Sequence, residues 1–133
     1  MNTTNLNVLI ADDEAFVRQG LKYIIDWSEF GFLICGEAEN GKDALDKIET
    51  THPDLILLDI HMPLVFGTEL IAKARQNGYT GEFIILSGYS DFEYAQIALQ
   101  YGVSYYLTKP IQEDKLKEAV LSVREKIMAR MVQ

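Results

Sequence analysis

Asp12 and Asp13, Asp59, Ser87 and Lys109 stand at comparable points of the sequence. Each comes within two residues of the end of a short apolar run: Val8–Ala11, Leu55–Leu58, Phe83–Leu86 and Tyr105–Leu107. Singly, each has a plain role: Asp12 or Asp13 can cap a following helix, Ser87 can open a turn, and Lys109 can be a solvated charge. If the runs are neighbouring strands, however, three carboxylates, a hydroxyl and an ammonium converge. Crowded carboxylates repel, so that either one takes up a proton or a hard cation neutralises them. An all-oxygen set favours Mg²⁺, which keeps several waters and takes one or two protein carboxylates plus a phosphate oxygen. Beside a cation, Asp59 is a usable nucleophile toward phosphorus, because carboxylates form aspartyl phosphates. Lys109 and Ser87 would then offset charge on the phosphoryl oxygens.

The elements that must position these groups are legible as two periods. The four runs and a fifth, Phe32–Cys35, are short, apolar and partly β-branched, as strands covered on both faces are. Between them lie stripes of helical spacing: Val17, Leu21, Ile24 and Ile25; Ala44, Leu45 and Ile48; Leu70, Ile71 and Ala74; Tyr94, Ala95, Ala98 and Leu99; and Leu116, Val120, Val123 and Ile127. Asn40 is a good N-cap for the second helix and Ser90-Asp91-Phe92-Glu93 reads as a capping box for the fourth. Gly78 and Gly102 suit the C′ positions of the third and fourth. Five βα units imply right-handed crossovers and a parallel sheet with helices on both sides. In such sheets ligands gather outside the carboxyl ends of the strands.

The chain has 133 residues, enough for one domain with one compact core. Its 48% hydrophobic and 24% charged content fits a globular fold and excludes a disordered one. A net charge of −8 disfavours direct nucleic-acid binding, which depends heavily on cationic side chains. No apolar run approaches the about 20 residues of a membrane span. The stretch 1–7 lacks the charged start of a secretory signal, and the expected location is the cytoplasm. A single cysteine, Cys35, permits no internal disulfide and no zinc pattern, and its apolar surroundings read as a buried strand thiol rather than a nucleophile.

Four segments carry a resemblance: Val8-Leu9-Ile10-Ala11-Asp12-Asp13-Glu14, Asp54-Leu55-Ile56-Leu57-Leu58-Asp59-Ile60-His61-Met62-Pro63, Ile84-Ile85-Leu86-Ser87-Gly88-Tyr89 and Tyr106-Leu107-Thr108-Lys109-Pro110. In this order they resemble the signatures of two-component response-regulator receiver domains of the CheY-like kind. The resemblance implies an α/β, flavodoxin-like (βα)5 three-layer sandwich with strand order 2-1-3-4-5. It implies that Asp59 accepts a phosphoryl group from a sensor histidine kinase. Asp13 and Asp59 then bind Mg²⁺ directly with the backbone carbonyl of His61, and Asp12 helps through water. Ser87 and Lys109 contact the phosphoryl group, Tyr106 is the aromatic switch, and the bond before Pro110 is a candidate cis peptide. The receiver domain is expected over residues 1–127, with 128–133 beginning a linker or extending the last helix.

Where the family commonly has Met-Asp-Gly after the Met-Pro, this chain has Val65-Phe66-Gly67, keeping the glycine and losing the acid. His61 and Tyr89, two residues beyond Asp59 and Ser87, would overhang the site, and their bulk is expected to slow loss of the phosphoryl group. The stretches Ile24–Phe32 and Gly88–Ala95 are similar to the receiver subgroup usually joined to AraC-type helix-turn-helix output domains. DNA contact is then expected only through an output domain, and transcription is the expected output. A stand-alone receiver acting by protein–protein contact is the alternative. Tyr101, Tyr105 and Tyr106 suggest a homodimer face on the fourth helix, fifth strand and last helix. An Asp-nucleophile phosphatase would need a second Asp where His61 stands, and a flavin carrier would be repelled by Asp12-Asp13-Glu14. The expectation is a signalling phosphoacceptor rather than an enzyme.

Overall fold

The computed structural model describes residues 5–62, 67–88, 96 and 99–132. Five strands form one parallel sheet in the order β2-β1-β3-β4-β5. In chain order the elements are β1 (Leu6–Ala11), α1 (Ala15–Ile24), β2 (Phe32–Ala38), α2 (Gly41–Thr51), β3 (Leu55–Asp59), α3 (Gly67–Gln76), β4 (Glu82–Ser87), β5 (Tyr105–Thr108) and α4 (Glu113–Met131). The fourth helical stripe and its capping box fall largely on 89–95 and 97–98, outside the described residues, as do Tyr89, Val65 and Phe66. Leu99 and Gln100 are helical, and Gly102 follows with φ 71°.

The apolar runs are continuous, yet the pleat sorts them by a period of two. Val8, Ile10, Leu55, Leu57, Ile84 and Leu86 face Leu21 of α1 and the Leu116, Val120 and Val123 stripe of α4. Leu9, Ala11, Ile56, Leu58, Phe83 and Ile85 face Ala44 and Ile48 of α2 and Leu70, Ile71 and Ala74 of α3. These are the three layers that the sequence leads one to expect. Full cover holds for the inner strands β1, β3 and β4 and fails at the two edges, where β2 and β5 are mostly half-buried. Cys35 is accordingly half-buried rather than buried, its thiol 3.4 Å from the carbonyl oxygen of Val8.

Local signals act as expected at several ends. The Asn40 side chain accepts from the Asp43 amide at 2.8 Å, and Gly78 has φ 90° just beyond α3. A 3-10 turn over Trp27–Phe30 was not anticipated. Asp26 caps it through the Ser28 amide, Gly31 ends it with φ 79°, and the Trp27 indole N–H donates to the Leu21 carbonyl. Gly67, the residue retained in the altered Val65-Phe66-Gly67 segment, opens α3 hard against β3. Its amide donates to the Ile60 carbonyl at 3.0 Å, and a Cβ there would lie 2.6 Å from the Ile60 Cα. Ion pairs tie the far edge of the sheet: the buried Glu82 carboxylate meets Arg130 at 2.8 Å and Lys126 at 3.5 Å on α4, and accepts from the Ser104 hydroxyl.

Candidate functional site

The sheet order places the ends of β1 and β3 side by side, with β4 and β5 next in line. Ala11 pairs with Leu58, Asp59 with Leu86, and Ser87 with Thr108, so Asp12, Asp59, Ser87 and Lys109 finish at one edge. Asp59 and Ser87 are the last residues of their strands rather than the first beyond them, because ladder pairing continues through a polar residue. Backbone bonds carry the edge onward: the Ile60 amide donates to the Leu86 carbonyl and the Lys109 amide to the Ser87 carbonyl.

Side-chain ligand atoms of Asp12, Asp13 and Asp59 all lie within 4.8 Å of one another. Asp12 is fully buried and Asp59 nearly so, whereas Asp13 is exposed. Asp12 uses one oxygen to accept the Glu14 amide at 2.9 Å and presents the other to the Lys109 ammonium at 3.0 Å. Neither Asp12 nor Asp13 caps α1; the N-cap position is Glu14, whose side chain makes no capping bond. Asp59 accepts the His61 amide at 3.1 Å on Oδ1, and its Oδ2 lies 3.6 Å from Lys109 Nζ. Lys109 is thus a bridge between carboxylates on two strands, and the Lys109–Pro110 peptide is cis. Ser87 is buried at the β4 terminus, and Tyr106 is half-buried, packed against the α2 and α3 side of the sheet.

Electrostatics follow from this crowding. Burial pushes the Asp59 carboxyl above its ordinary range, and the charges of Asp12 and Asp13 add to the push. The His61 amide and Lys109 oppose it without reversing it. For Lys109 burial works against the charged form, but the Asp12 hydrogen bond and the Asp59 charge outweigh it and hold the ammonium above its usual value. Asp12 and Asp59 therefore share one ammonium, with Asp13 in the same cluster, and Asp59 is the carboxylate whose charged form burial disfavours. A donor set of hard oxygens at this spacing suits a small divalent cation of the Mg²⁺ class.

Two residues, one touching this loop and one holding the first in place, were not singled out from the sequence. Arg18 of α1 donates through Nη1 to the Asp12 carbonyl at 2.7 Å and through Nε to Glu37 of β2 at 2.9 Å. Glu37 stands two residues past the apolar run Phe32–Cys35, inside a strand that continues to Ala38, and although the window applied to the other four runs reaches it, it was left out. Its strand-end position, opposite Ile10, was the available signal.

Comparison with known proteins identifies the family. Over 124 residues, 93% of this chain, the sequence is 39% identical to the uncharacterized transcriptional regulatory protein YesN of Bacillus subtilis, of which it covers 33%. The chain thus spans about a third of that relative and about half of others. The REC domain of AraT, a response regulator from Geobacillus stearothermophilus, superposes with a TM-score of 0.88 at 38% identity, covering 95% of this chain and 98% of that one. A CheX-CheY-BeF3-Mg²⁺ complex from Borrelia burgdorferi aligns with a TM-score of 0.81 at 28% identity, covering 89% and 88%. Residues 8–121 match the response regulator receiver domain family, and this span holds every group of the strand-end cluster. The chain belongs to that family and is a receiver domain of two-component signalling.

Proposed function

We propose that Asp59 is the phosphoacceptor and that Asp12, Asp13 and Asp59, with the His61 carbonyl, hold Mg²⁺ beside it. The observation that carries this reading is Lys109, whose ammonium spans Asp12 and Asp59 across 97 residues of sequence between Asp12 and itself. When bound, Mg²⁺ supplies the positive charge that lets a carboxylate and a phosphoryl group approach. The chain's own part follows from position. An Asp59 oxygen attacks phosphorus, the P–N bond of the sensor kinase's phosphohistidine breaks, and its electron pair returns to the imidazole, which takes a proton. Lys109 and Ser87 then face a group carrying nearly −2 charge. Two charge-assisted hydrogen bonds at about 1.5–3 kcal/mol each approach the about 5.5 kcal/mol that carries a two-state equilibrium from 1:99 to 99:1. Tyr106, one strand away, reports that change to the surface, and His61 and Tyr89 slow loss of the phosphoryl group.

The signalling partner is a sensor histidine kinase, and the output is control of transcription through a domain of a longer chain, as the coverage of YesN suggests. On this reading the receiver occupies 1–127, with 128–133 beginning a linker or extending the last helix; it acts in the cytoplasm as a phosphoacceptor without an external substrate. Among the described residues no helix is long and apolar enough to cross a membrane. Pairing of two phosphorylated copies uses the fourth helical segment, β5 and α4. Incubation with Mg²⁺ and acetyl phosphate tests the central assignment by intact mass. One phosphoryl increment is expected for the wild-type chain and none for Asp59→Asn; equal labelling of both would remove Asp59 from the role.

A further inference from the structure

The Arg18–Glu37 pair lies next to the acidic loop and takes no part in the phosphoryl transfer described above. Arg18 spans two elements: one guanidinium nitrogen binds the Asp12 carbonyl and another binds the Glu37 carboxylate. Only 14% of the Arg18 side chain is exposed, so the fork is packed rather than waving in solvent. Glu37 is itself held from several sides, with Oε2 accepting Lys22 at 2.7 Å and its carbonyl accepting Lys47. The Lys22 hydrogen bond, with smaller help from Arg18, keeps the Glu37 carboxyl below its usual range and therefore charged.

The aim of Glu37 depends on a defect in the sheet. Between Val8 and Leu9 the register of β1 against β2 slips by one: Val8 pairs with Ile34, but Leu9 pairs with Gly36. Cys35 is the extra residue. A bulge re-aims every side chain beyond it. With the slip, Glu37 pairs with Ile10 and shares its face, the one covered by α1. An unbroken alternation from Ile34 would turn Glu37 toward α2, away from Arg18. The bulge, Glu37 and Arg18 together form a strut that ends on the residue carrying the cluster's most buried carboxylate.

We infer that Arg18, aimed by Glu37, is a positioning residue that fixes the Asp12-Asp13 loop in the arrangement that receives the divalent cation. The inference rests on the Mg²⁺ reading above. A charged donor with one nitrogen on the Asp12 carbonyl and another anchored on Glu37 sets the direction of the peptide that joins Asp12 to Asp13, and so the direction from which Asp13 reaches the cluster. Lysine keeps the charge and loses the fork.

Calorimetric Mg²⁺ titration of the chain tests this, with amide hydrogen exchange in metal-free buffer as a second readout. Outer partners of metal ligands change affinity by about 10–100-fold. Arg18→Met is expected to weaken Mg²⁺ binding at least about tenfold, in the lower part of that range, and to speed exchange at Asp13 and Glu14. Arg18→Lys should fall between, and Glu37→Gln should reproduce part of the loss from a residue that touches no cluster carboxylate. The Arg18→Met/Glu37→Gln double variant should lose no more than Arg18→Met, because the two act through one contact. A wild-type chain that binds Mg²⁺, with Arg18→Met within about twofold of it, overturns the inference alone. A wild-type chain that takes up no Mg²⁺ overturns the metal reading, and the inference with it.

Discussion

In metal-free buffer at neutral pH, Lys109→Met is expected to lose about 3 kcal/mol of unfolding free energy, the low end of the range for removing one partner of a buried ion pair. The reason lies in what remains. Asp12 is fully enclosed and keeps only the Glu14 amide, while Asp59 loses the one cation within 4 Å among the described residues. The Lys109 ammonium is partly exposed, which keeps the expected loss from the upper end of the range. Because the folded Lys109 pKa is raised, its contribution is complete below its ordinary value of 10.5 and is lost only as pH rises through the raised one. Toward acid the deficit should shrink as Asp59 takes up its proton, which it does above the ordinary carboxylate range. Urea denaturation across pH measures this, and a pH-independent deficit would point to lost packing instead. Saturating Mg²⁺ should restore much of the stability without restoring contact to a phosphoryl group.

Asp59→Asn is expected to move stability in the opposite direction. The folded carboxyl has a raised pKa, so its ionisation disfavours the native state. For the wild-type chain this contribution is present below the ordinary value of 3.8 and is lost as pH climbs to the raised folded value. The asparagine variant does not titrate. It should therefore be the more stable of the two at neutral pH without metal, by a margin that closes on acidification. Mg²⁺ should invert the order: a ligand at 100 times its Kd adds about 2.7 kcal/mol to whichever protein binds it. The wild type, with three carboxylates, gains more than a variant with two. Thermal melts with EDTA and with Mg²⁺ give the four values needed, and failure of the two curves to cross would mean that Asp59 is not part of a cation site.

How far the sequence reaches can be judged from particular residues. Leu55–Leu58 and Phe83–Leu86 are readable because both faces of β3 and β4 are covered, and burial writes an unbroken apolar run. β2 is less readable for the converse reason: an edge strand needs less apolar surface, and Gly36 and Glu37 look like the start of a loop. The 3-10 turn had a signal in Asp26 and Glu29 with Gly31 behind, but four residues are too few for a helical period to show. Lys109 could be placed beside Asp12 only after the order of strands was inferred, since no local pattern links residues 97 apart. Arg18 lies further out of reach. Its partner depends on a one-residue slip at Cys35, and in the run Ile34-Cys35-Gly36-Glu37 the glycine alone hints at where the ladder skips.

The close seat of Gly67 has a mechanical consequence. With its amide on the Ile60 carbonyl and no room for a side chain, the first turn of α3 rests on the backbone one residue past Asp59 like a beam butted against a wall. Among the described residues, the atoms nearest a Cβ at Gly67 are those of Ile60, two of them backbone. A pull on Asp59 is therefore expected to pass through the Ile60 backbone into the first turn of the ten-residue α3 on the flank of the sheet.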